Sequence, residues 1–400
     1  MEQPVKKKIL FINSVCNGST GKICKDLYDL AEDHGYECCI AYGRGNAPEG
    51  YDTIKIGNQL DIYMHVLKTR LFDAHGFGSK RATKLFLKRV DEYKPDIIHL
   101  HNIHGYYINI KLLFEYLKKH QEIKVVWTLH DCWAFTGHCA YWLSNQCMEW
   151  EKQCSNCRYI QEYPLAYKDS SKKNYYTKKD LFTSLQNINI IAVSQWLKNQ
   201  VKKSYLSRYS INVITSGIDT NIFCYRNNNF KHKYKIEDKK IILGVANVWD
   251  DRKGLDDFIE LSKKIDNNYV IVLVGINKKN QKKLPKNILC INRTDSVKKL
   301  VEIYSVSDIF FNPTKEETYG LTNIEAQACG TCVVSYDSGG TKETLINENT
   351  YTVKDVNEFI NKIDQFNVNK ANVRKEMFDK SVCFKKYIDL YNEIFEGGQR

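Results

Sequence analysis

The chain alternates short continuous apolar runs with segments of helical period, and it goes through that alternation twice. Ile9-Leu10-Phe11-Ile12 is the first such run and Ile241-Ile-Leu-Gly-Val-Ala246 restarts the series. A run with no polar alternation is buried on both faces, the condition of a strand in a parallel sheet covered by helices. Strands are expected at Lys7–Asn13, Cys38–Tyr42, Asp96–His101, Ile123–His130, Ile188–Val193 and Ile211–Ile214. Helices are expected at Lys22–His34, Lys80–Tyr93, Ile110–His120, Tyr175–Gln186 and Gln195–Ser204. Thr215-Ser-Gly-Ile-Asp219 has turn chemistry and reads as a hinge. Beyond it, strands are expected at Ile241–Ala246, Tyr269–Gly275, Ile309–Phe311 and Cys332–Ser335, with helices at Leu255–Ile265 and Val297–Ser305. Two such series predict an α/β chain of two doubly wound domains, residues 1–215 and 216–378, with a cleft between their strand C-terminal ends. The helical, aromatic segment 379–400 is expected to cross back to the first domain.

Composition narrows the function classes. No run of 18 or more apolar residues occurs, so no membrane-spanning helix is expected. The apolar segment near the start is too short for a signal peptide, which points to the cytoplasm. Fourteen cysteines could imply an oxidised protein, but Cys38, Cys39, Cys290 and Cys332 sit in strand-like contexts and read as small buried hydrophobes in a reducing compartment. Of the net charge of +12, the first 215 residues carry +9. That imbalance suits an anionic membrane surface or substrate. No nucleic-acid module is present, and nucleic acid is not an expected partner.

The chemistry concentrates in Asn312-Pro-Thr-Lys-Glu-Glu-Thr-Tyr-Gly-Leu-Thr-Asn-Ile-Glu-Ala-Gln-Ala-Cys-Gly330. It follows a strand end and opens a helix that stops at Gly330. The backbone N–H groups of Tyr319, Gly320, Leu321 and Thr322 are expected to face an anion, since a helix start favours phosphate. Glu317 and Glu325 flank that start, and a carboxylate beside a phosphate site serves hydroxyls, as on a sugar or ribose. A plainer reading makes Glu317 a helix-start acid and Glu325 a solvated helix residue. Upstream, Arg252 and Lys253 precede a helix, where cations oppose the dipole and call for an anion.

With Glu317, Tyr319-Gly320-Leu321 and Glu325 at that spacing, the chain resembles the retaining glycosyltransferases of family 4, whose fold is GT-B: two Rossmann-like domains facing each other across a cleft. Asp251-Arg-Lys-Gly254, Ala192-Val-Ser194, Ser216-Gly-Ile-Asp219 and Thr128-Leu-His130 fall in the family's order, so the resemblance spans nearly the whole chain. Within the family, His130-Asp-Cys-Trp-Ala-Phe-Thr-Gly137 and the cysteines after it are similar to the colanic-acid and capsular polysaccharide type. The resemblance implies transfer of a sugar from a UDP- or GDP-linked donor to a saccharide or lipid-linked oligosaccharide acceptor at the inner membrane face, with retention. It implies an enzyme in the cytoplasm or peripheral to that membrane, needing no cofactor for catalysis. Lys253 and Arg252 would neutralise the donor diphosphate, and Glu325 would accept from the ribose. Glu317 would accept from the transferred sugar, with His130 near its anomeric centre. Gly18 and Gly21 would let the first domain approach the diphosphate. The family's other basic position, six before the lysine, is Asn247 here; either Arg252 replaces that charge or the leaving group has one fewer cation. A nucleotide-sugar 2-epimerase and a non-catalytic nucleotide-sugar-binding protein share the fold and stand as alternatives.

Cys139, Cys147, Cys154 and Cys157 crowd into an insertion at about 132–160. Cys154-Ser-Asn-Cys157 has zinc-knuckle spacing, so a structural zinc on the four sulfurs is one reading and a loop of buried thiols the other. The tryptophans nearby, Trp133, Trp142 and Trp150, are candidates to stack on sugar rings. His99, His101 and His104 alternate, with one or two expected at the cleft, the rest packed, and no metal.

Overall fold

In the computed structural model, which describes residues 6–294, 296–370 and 374–396, the chain divides after Thr215 into two compact units. The second ends at Cys383, and the chain from Phe384 belongs with the first.

The first unit holds a seven-stranded parallel sheet. Its strands are β1 (Lys8–Val15), β2 (Glu37–Arg44), β3 (Thr53–Lys55), β4 (Ile97–Leu100), β5 (Lys124–Leu129), β6 (Ile188–Ala192) and β7 (Ile211–Val213), in the order β3-β2-β1-β4-β5-β6-β7. Helices α1 (Gly18–Asp33), α2 (Gln59–Phe72), α3 (Lys80–Tyr93), α4 (Ile110–Lys119), α5 (Ser171–Phe182) and α6 (Gln195–Lys202) connect them. Ile9, Leu10, Phe11 and Ile12 have no exposure at all, as their unbroken apolarity requires.

The second unit repeats the plan with six parallel strands: β8 (Lys240–Val245), β9 (Tyr269–Val274), β10 (Ile288–Ile291), β11 (Ile309–Asn312), β12 (Cys332–Tyr336) and β13 (Thr350–Val353), ordered β10-β9-β8-β11-β12-β13. The helices here are α7 (Phe230–Tyr234), α8 (Leu255–Lys264), α9 (Lys278–Gln281), α10 (Val297–Val306), α11 (Leu321–Ala328), α12 (Val356–Lys362) and α13 (Lys380–Glu396), the last running on into the first unit. Phe258, Phe311 and Phe359 anchor its core, the last two with ring centroids 4.2 Å apart.

Each sheet reverses its winding once, between β1 and β4 and between β8 and β11, and ligands of such sheets bind outside the strand C-termini at that reversal. Around the junction, Ile218 bridges Asp379, and Thr220 Oγ1 donates to Asp379 Oδ2 at 2.5 Å. A Cβ on Gly217 would lie 2.6 Å from Lys380 Cα, so glycine is what lets these two stretches lie side by side. From Phe384 onward α13 packs against the first sheet: Tyr387 and Tyr391 are buried, and their hydroxyls meet Thr128 Oγ1 at 3.0 Å and His99 Nδ1 at 2.7 Å.

The first helix, expected from Lys22, begins instead at Gly18 with Asn17 as its N-cap, so the glycine-containing stretch Asn17–Gly21, which reads from sequence as a loop, is its first turn. Gly21 has a packing reason for its identity, since a Cβ there would lie 2.4 Å from the Cys16 carbonyl carbon. β3, β10, β13 and α2 have no counterpart in the sequence expectations.

Candidate active site

The second unit gathers its predicted residues on the loops that follow β8 and β11, the two strands flanking its reversal. After β8 the chain passes Asn247, which is exposed, and makes a short 3-10 turn at Asp251–Lys253. Asp250 caps the turn by accepting from Lys253 N at 3.0 Å. Gly254 then takes a φ of 72°, and a Cβ on it would stand 2.5 Å from Pro313 O. Glycine therefore lets the β8 loop lie directly on the β11 loop.

That contact is stitched by hydrogen bonds. Lys315 N donates to Arg252 O at 2.8 Å, and Arg252 Nη1 donates to Glu316 O at 3.0 Å. At its centre the Lys253 ammonium forms an ion pair with Glu317 Oε2. Burial pushes the Glu317 carboxyl up, but the Lys253 ammonium, the Arg252 guanidinium and the Thr318 N–H together hold it below the ordinary carboxylate value. The Glu317 backbone is clamped as well: Gly340 N donates to its carbonyl at 2.8 Å, while a Cβ on Gly339 would come within 2.1 Å of the same oxygen.

Gly320, with a φ of 92°, is the N-cap of α11 and makes no side-chain cap. The first-turn N–H groups at Leu321 and Thr322 therefore have neither an intrahelical acceptor nor a capping side chain. Tyr319 and Gly320 are buried, and Leu321 and Thr322 are half-buried. Glu325, also half-buried, accepts from Tyr304 Oη at 3.0 Å.

Sequence reasoning missed what holds this helix start in place. Asn323 and Gln327, four apart, are wholly buried on one face of α11. Asn312 Nδ2 donates to Asn323 Oδ1 at 2.8 Å, Asn323 Nδ2 to Thr344 Oγ1 at 2.9 Å, and Gln327 Nε2 to Thr344 O at 2.6 Å. Two amides with helical spacing, otherwise flanked by apolar residues, were the available signal.

In the first unit Gly18 is exposed with a φ of 72°, and a Cβ on it would meet nothing within 4 Å. His130 follows β5, and its Nε2 lies 3.0 Å from His101 Nδ1 with the rings stacked. Burial, opposed by Asp131 and reinforced by His104, pushes the His130 imidazole down to about 4, so it is neutral at physiological pH. Of the alternating histidines, His99 packs between Thr128 and Tyr391, His101 partners His130, and His104 pairs with Asp131 at 2.8 Å.

The insertion corrects two expectations. Trp133, Trp142 and Trp150 are buried, not presented to a ligand: Trp150 packs between Trp142 and Phe135, and Trp133 against His104 and Phe182. Cys139, Cys147, Cys154 and Cys157 do line one cavity of about 390 Å³. Yet among the described residues no three His, Cys, Asp or Glu side chains are set to hold a metal ion. Cys154 Sγ instead accepts from Gly137 N at 3.1 Å, and burial pushes its thiol up to about 12 and that of Cys157 up to about 11. Cys154 and Cys157 are neutral thiols in this arrangement, and all four cysteines are half-buried. None of the fourteen cysteines is in a disulfide.

With the loops in place, comparison with known proteins becomes informative. Residues 21–222 match Glycosyltransferase Family 4 and residues 226–380 match Glycosyl transferases group 1. The chain belongs to glycosyltransferase family 4. It is 25% identical to WcaC of Escherichia coli K12, named for glycosyl transfer in colanic acid biosynthesis, over 51% of this chain and 53% of that protein. The match thus spans about half the length of that relative. Sucrose-phosphate synthase of Thermosynechococcus elongatus superposes with a TM-score of 0.74 at 16% identity, covering 98% of this chain and 100% of that one. HepE of Anabaena, solved with UDP and glucose, gives 0.68 at 14% identity over 97% of this chain and 100% of its own. Likeness at such low identity establishes the fold, which is GT-B.

Proposed function

We propose that this family 4 member transfers a sugar from a nucleoside diphosphate donor to a saccharide acceptor in the synthesis of a cell-surface polysaccharide, with retention at the anomeric carbon. The observation that carries the reading is the Lys253–Glu317 ion pair beside the uncapped start of α11, at the winding reversal of the second sheet. Lys253 and Arg252 are a pair of fixed cations, and the α11 N-terminus adds oriented N–H donors. Together they stabilise a leaving diphosphate at the moment its bond to the sugar breaks. No divalent ion is needed to neutralise that charge. Glu325, oriented by the hydrogen bond it accepts from Tyr304 Oη, serves the ribose, and Glu317 serves hydroxyls of the transferred sugar. In the first unit Gly18 leaves room for a ligand, and the neutral His130 serves the reacting sugar as a hydrogen-bond partner.

UDP is the favoured nucleotide, because the structural neighbour HepE was solved with it. The name of WcaC and the resemblance of the insertion support a colanic-acid or capsular type of product. A lipid-linked acceptor at the inner membrane face suits the +9 charge of the first 215 residues. The test is a panel of UDP- and GDP-sugars, read by thermal shift and by donor consumption with and without acceptor. A matching donor is expected to raise the melting temperature and be consumed, and Lys253→Ala and Glu325→Ala are expected to lose turnover without losing the fold. Normal turnover in either variant would overturn the site. Conversion of donor alone into a second nucleotide sugar would favour the epimerase reading, and binding without consumption a non-catalytic one.

A further inference from the structure

Helix α2 is built inside out. Its buried residues are Ile62, His65 and Thr69, two of the three polar, whereas its large apolar side chains point to solvent. Leu60 is 68% exposed, Met64 57%, Leu67 47% and Leu71 44%, a row spaced by four, three and four residues along one face. Tyr63 and Phe72 border it, also exposed. Surface helices of globular proteins carry the opposite pattern, and a contiguous exposed apolar face marks an interaction surface.

The helix is rigidly held. Asn58 and Asp61 form a capping box at its start. His65 Nε2 accepts from Gly76 N at 3.2 Å and Gly78 N at 3.1 Å, with His65 Nδ1 2.9 Å from Ser79 Oγ. The apolar face is therefore a fixed feature of the fold. A groove of about 480 Å³ beside it is lined by Met64, Leu67 and Leu71 together with Lys68, Lys80 and Arg81. Lys68 and Lys80 lie close enough, with Lys173, for their charges to oppose one another, and Lys84, Lys88 and Arg89 are exposed along neighbouring α3. The arrangement is an apolar stripe edged by crowded cations.

We propose that the outer face of α2 docks on an anionic lipid bilayer, with Leu60, Met64, Leu67 and Leu71 entering the headgroup–acyl boundary and Lys68, Lys80 and Arg81 meeting lipid phosphates. An amphipathic helix lying in a membrane interface combines these two features, and anionic lipid relieves the repulsion among the lysines. A second copy of the chain fits poorly. A two-fold contact would set the same cations against each other, and one face of a helix about 21 Å long falls short of the roughly 800 Å² per partner of a stable interface. The inference deepens the membrane-side reading of the acceptor, and lipid binding can be scored apart from donor chemistry.

The full-length protein is tested by flotation with phosphatidylcholine vesicles and with vesicles of equal parts phosphatidylcholine and phosphatidylglycerol. Binding is expected to the anionic vesicles and to weaken with salt. Met64→Asp/Leu67→Asp is expected to weaken it about tenfold or more, and Lys80→Glu/Arg81→Glu at least about fivefold per charge removed. In both variants the melting temperature and donor consumption in solution should match the unsubstituted protein, because none of these residues serves the donor. Failure of the unsubstituted protein to bind anionic vesicles, or unimpaired binding by Met64→Asp/Leu67→Asp, overturns the proposal. So does concentration-dependent dimerisation that the same variant abolishes. Loss of donor consumption in the unsubstituted protein with vesicle binding intact would strike the proposed transfer reaction and leave the docking surface standing.

Discussion

Glu317 and Lys253 form an ion pair, and on the proposed function each charge serves a different part of the donor. Their substitutions should therefore act in opposite directions on nucleotide affinity. Lys253→Met removes a cation from the diphosphate and leaves Glu317 with Arg252 as its remaining cationic support. UDP affinity should fall, and kcat by about 10²–10³, the scale for losing one preorganised charge-stabilising donor. Glu317→Gln keeps the shape but frees the ammonium. UDP should bind as well or about two- to tenfold more tightly while turnover falls, because the sugar hydroxyls lose their charged acceptor. Calorimetry with UDP and steady-state kinetics on both variants check the pair; parallel loss of UDP affinity would show that the two charges do not serve different parts of the donor. Glu317 was legible in the sequence through its spacing from the α11 glycine, and Lys253 as a cation set at the start of a helix. The amides of Asn312, Asn323 and Gln327, which hold that helix, were not read, because the helical spacing of Asn323 and Gln327 does not by itself tell a buried face from a solvated one.

Among elements, the turn at Asp251–Gly254 shows how one backbone conformation assembles the site. Gly254 needs both its positive φ and the space taken by Pro313 O. Gly254→Ala should cost about 1–3 kcal/mol of second-unit stability and weaken donor binding by separating Arg252 and Lys253 from Glu317. Chemical denaturation and UDP titration read the two effects, and an unchanged midpoint would mean that the loops are not packed as described. Strands with continuous apolar runs were readable because burial on both faces leaves no polar position. The short edge strands β3, β10 and β13 were not, since they have only one paired neighbour and correspondingly mixed exposure. Helix α2 escaped for the opposite reason: its apolar period faces outward, so the pattern that normally reports a core reports a surface. The Asn17–Gly21 segment read as a loop because two glycines weaken helical propensity, yet close packing on Cys16 is what selects Gly21.

Across the whole molecule, titration is unevenly distributed. Of the ten histidines only His232 lies in the second unit, and it is exposed, whereas His65, His75, His99 and His101 are buried in the first. Burial pushes His65 down to about 3 and holds His75, His99 and His101 well below their ordinary value. Such groups bind protons more readily when unfolded. Their contribution is whole above the ordinary value of 6.5 and drains as pH falls from there toward the folded value. Each contributes a slope of about 1.4 kcal/mol per pH unit in that window. Lowering the pH from neutrality should thus move the first unit's unfolding transition down well ahead of the second's. Calorimetry across the series checks this, and transitions that shift together would contradict it. The sequence by itself determined the α/β class, the two successive windings, the loops with charged chemistry and the family, because period, glycine placement and spacing are local properties of the chain. Only the tertiary structure decided that Lys253 pairs with Glu317, that the tryptophans of the insertion face inward, and that the apolar side of α2 faces solvent. Those outcomes depend on which surfaces distant segments cover, and burial is a property of the assembled whole.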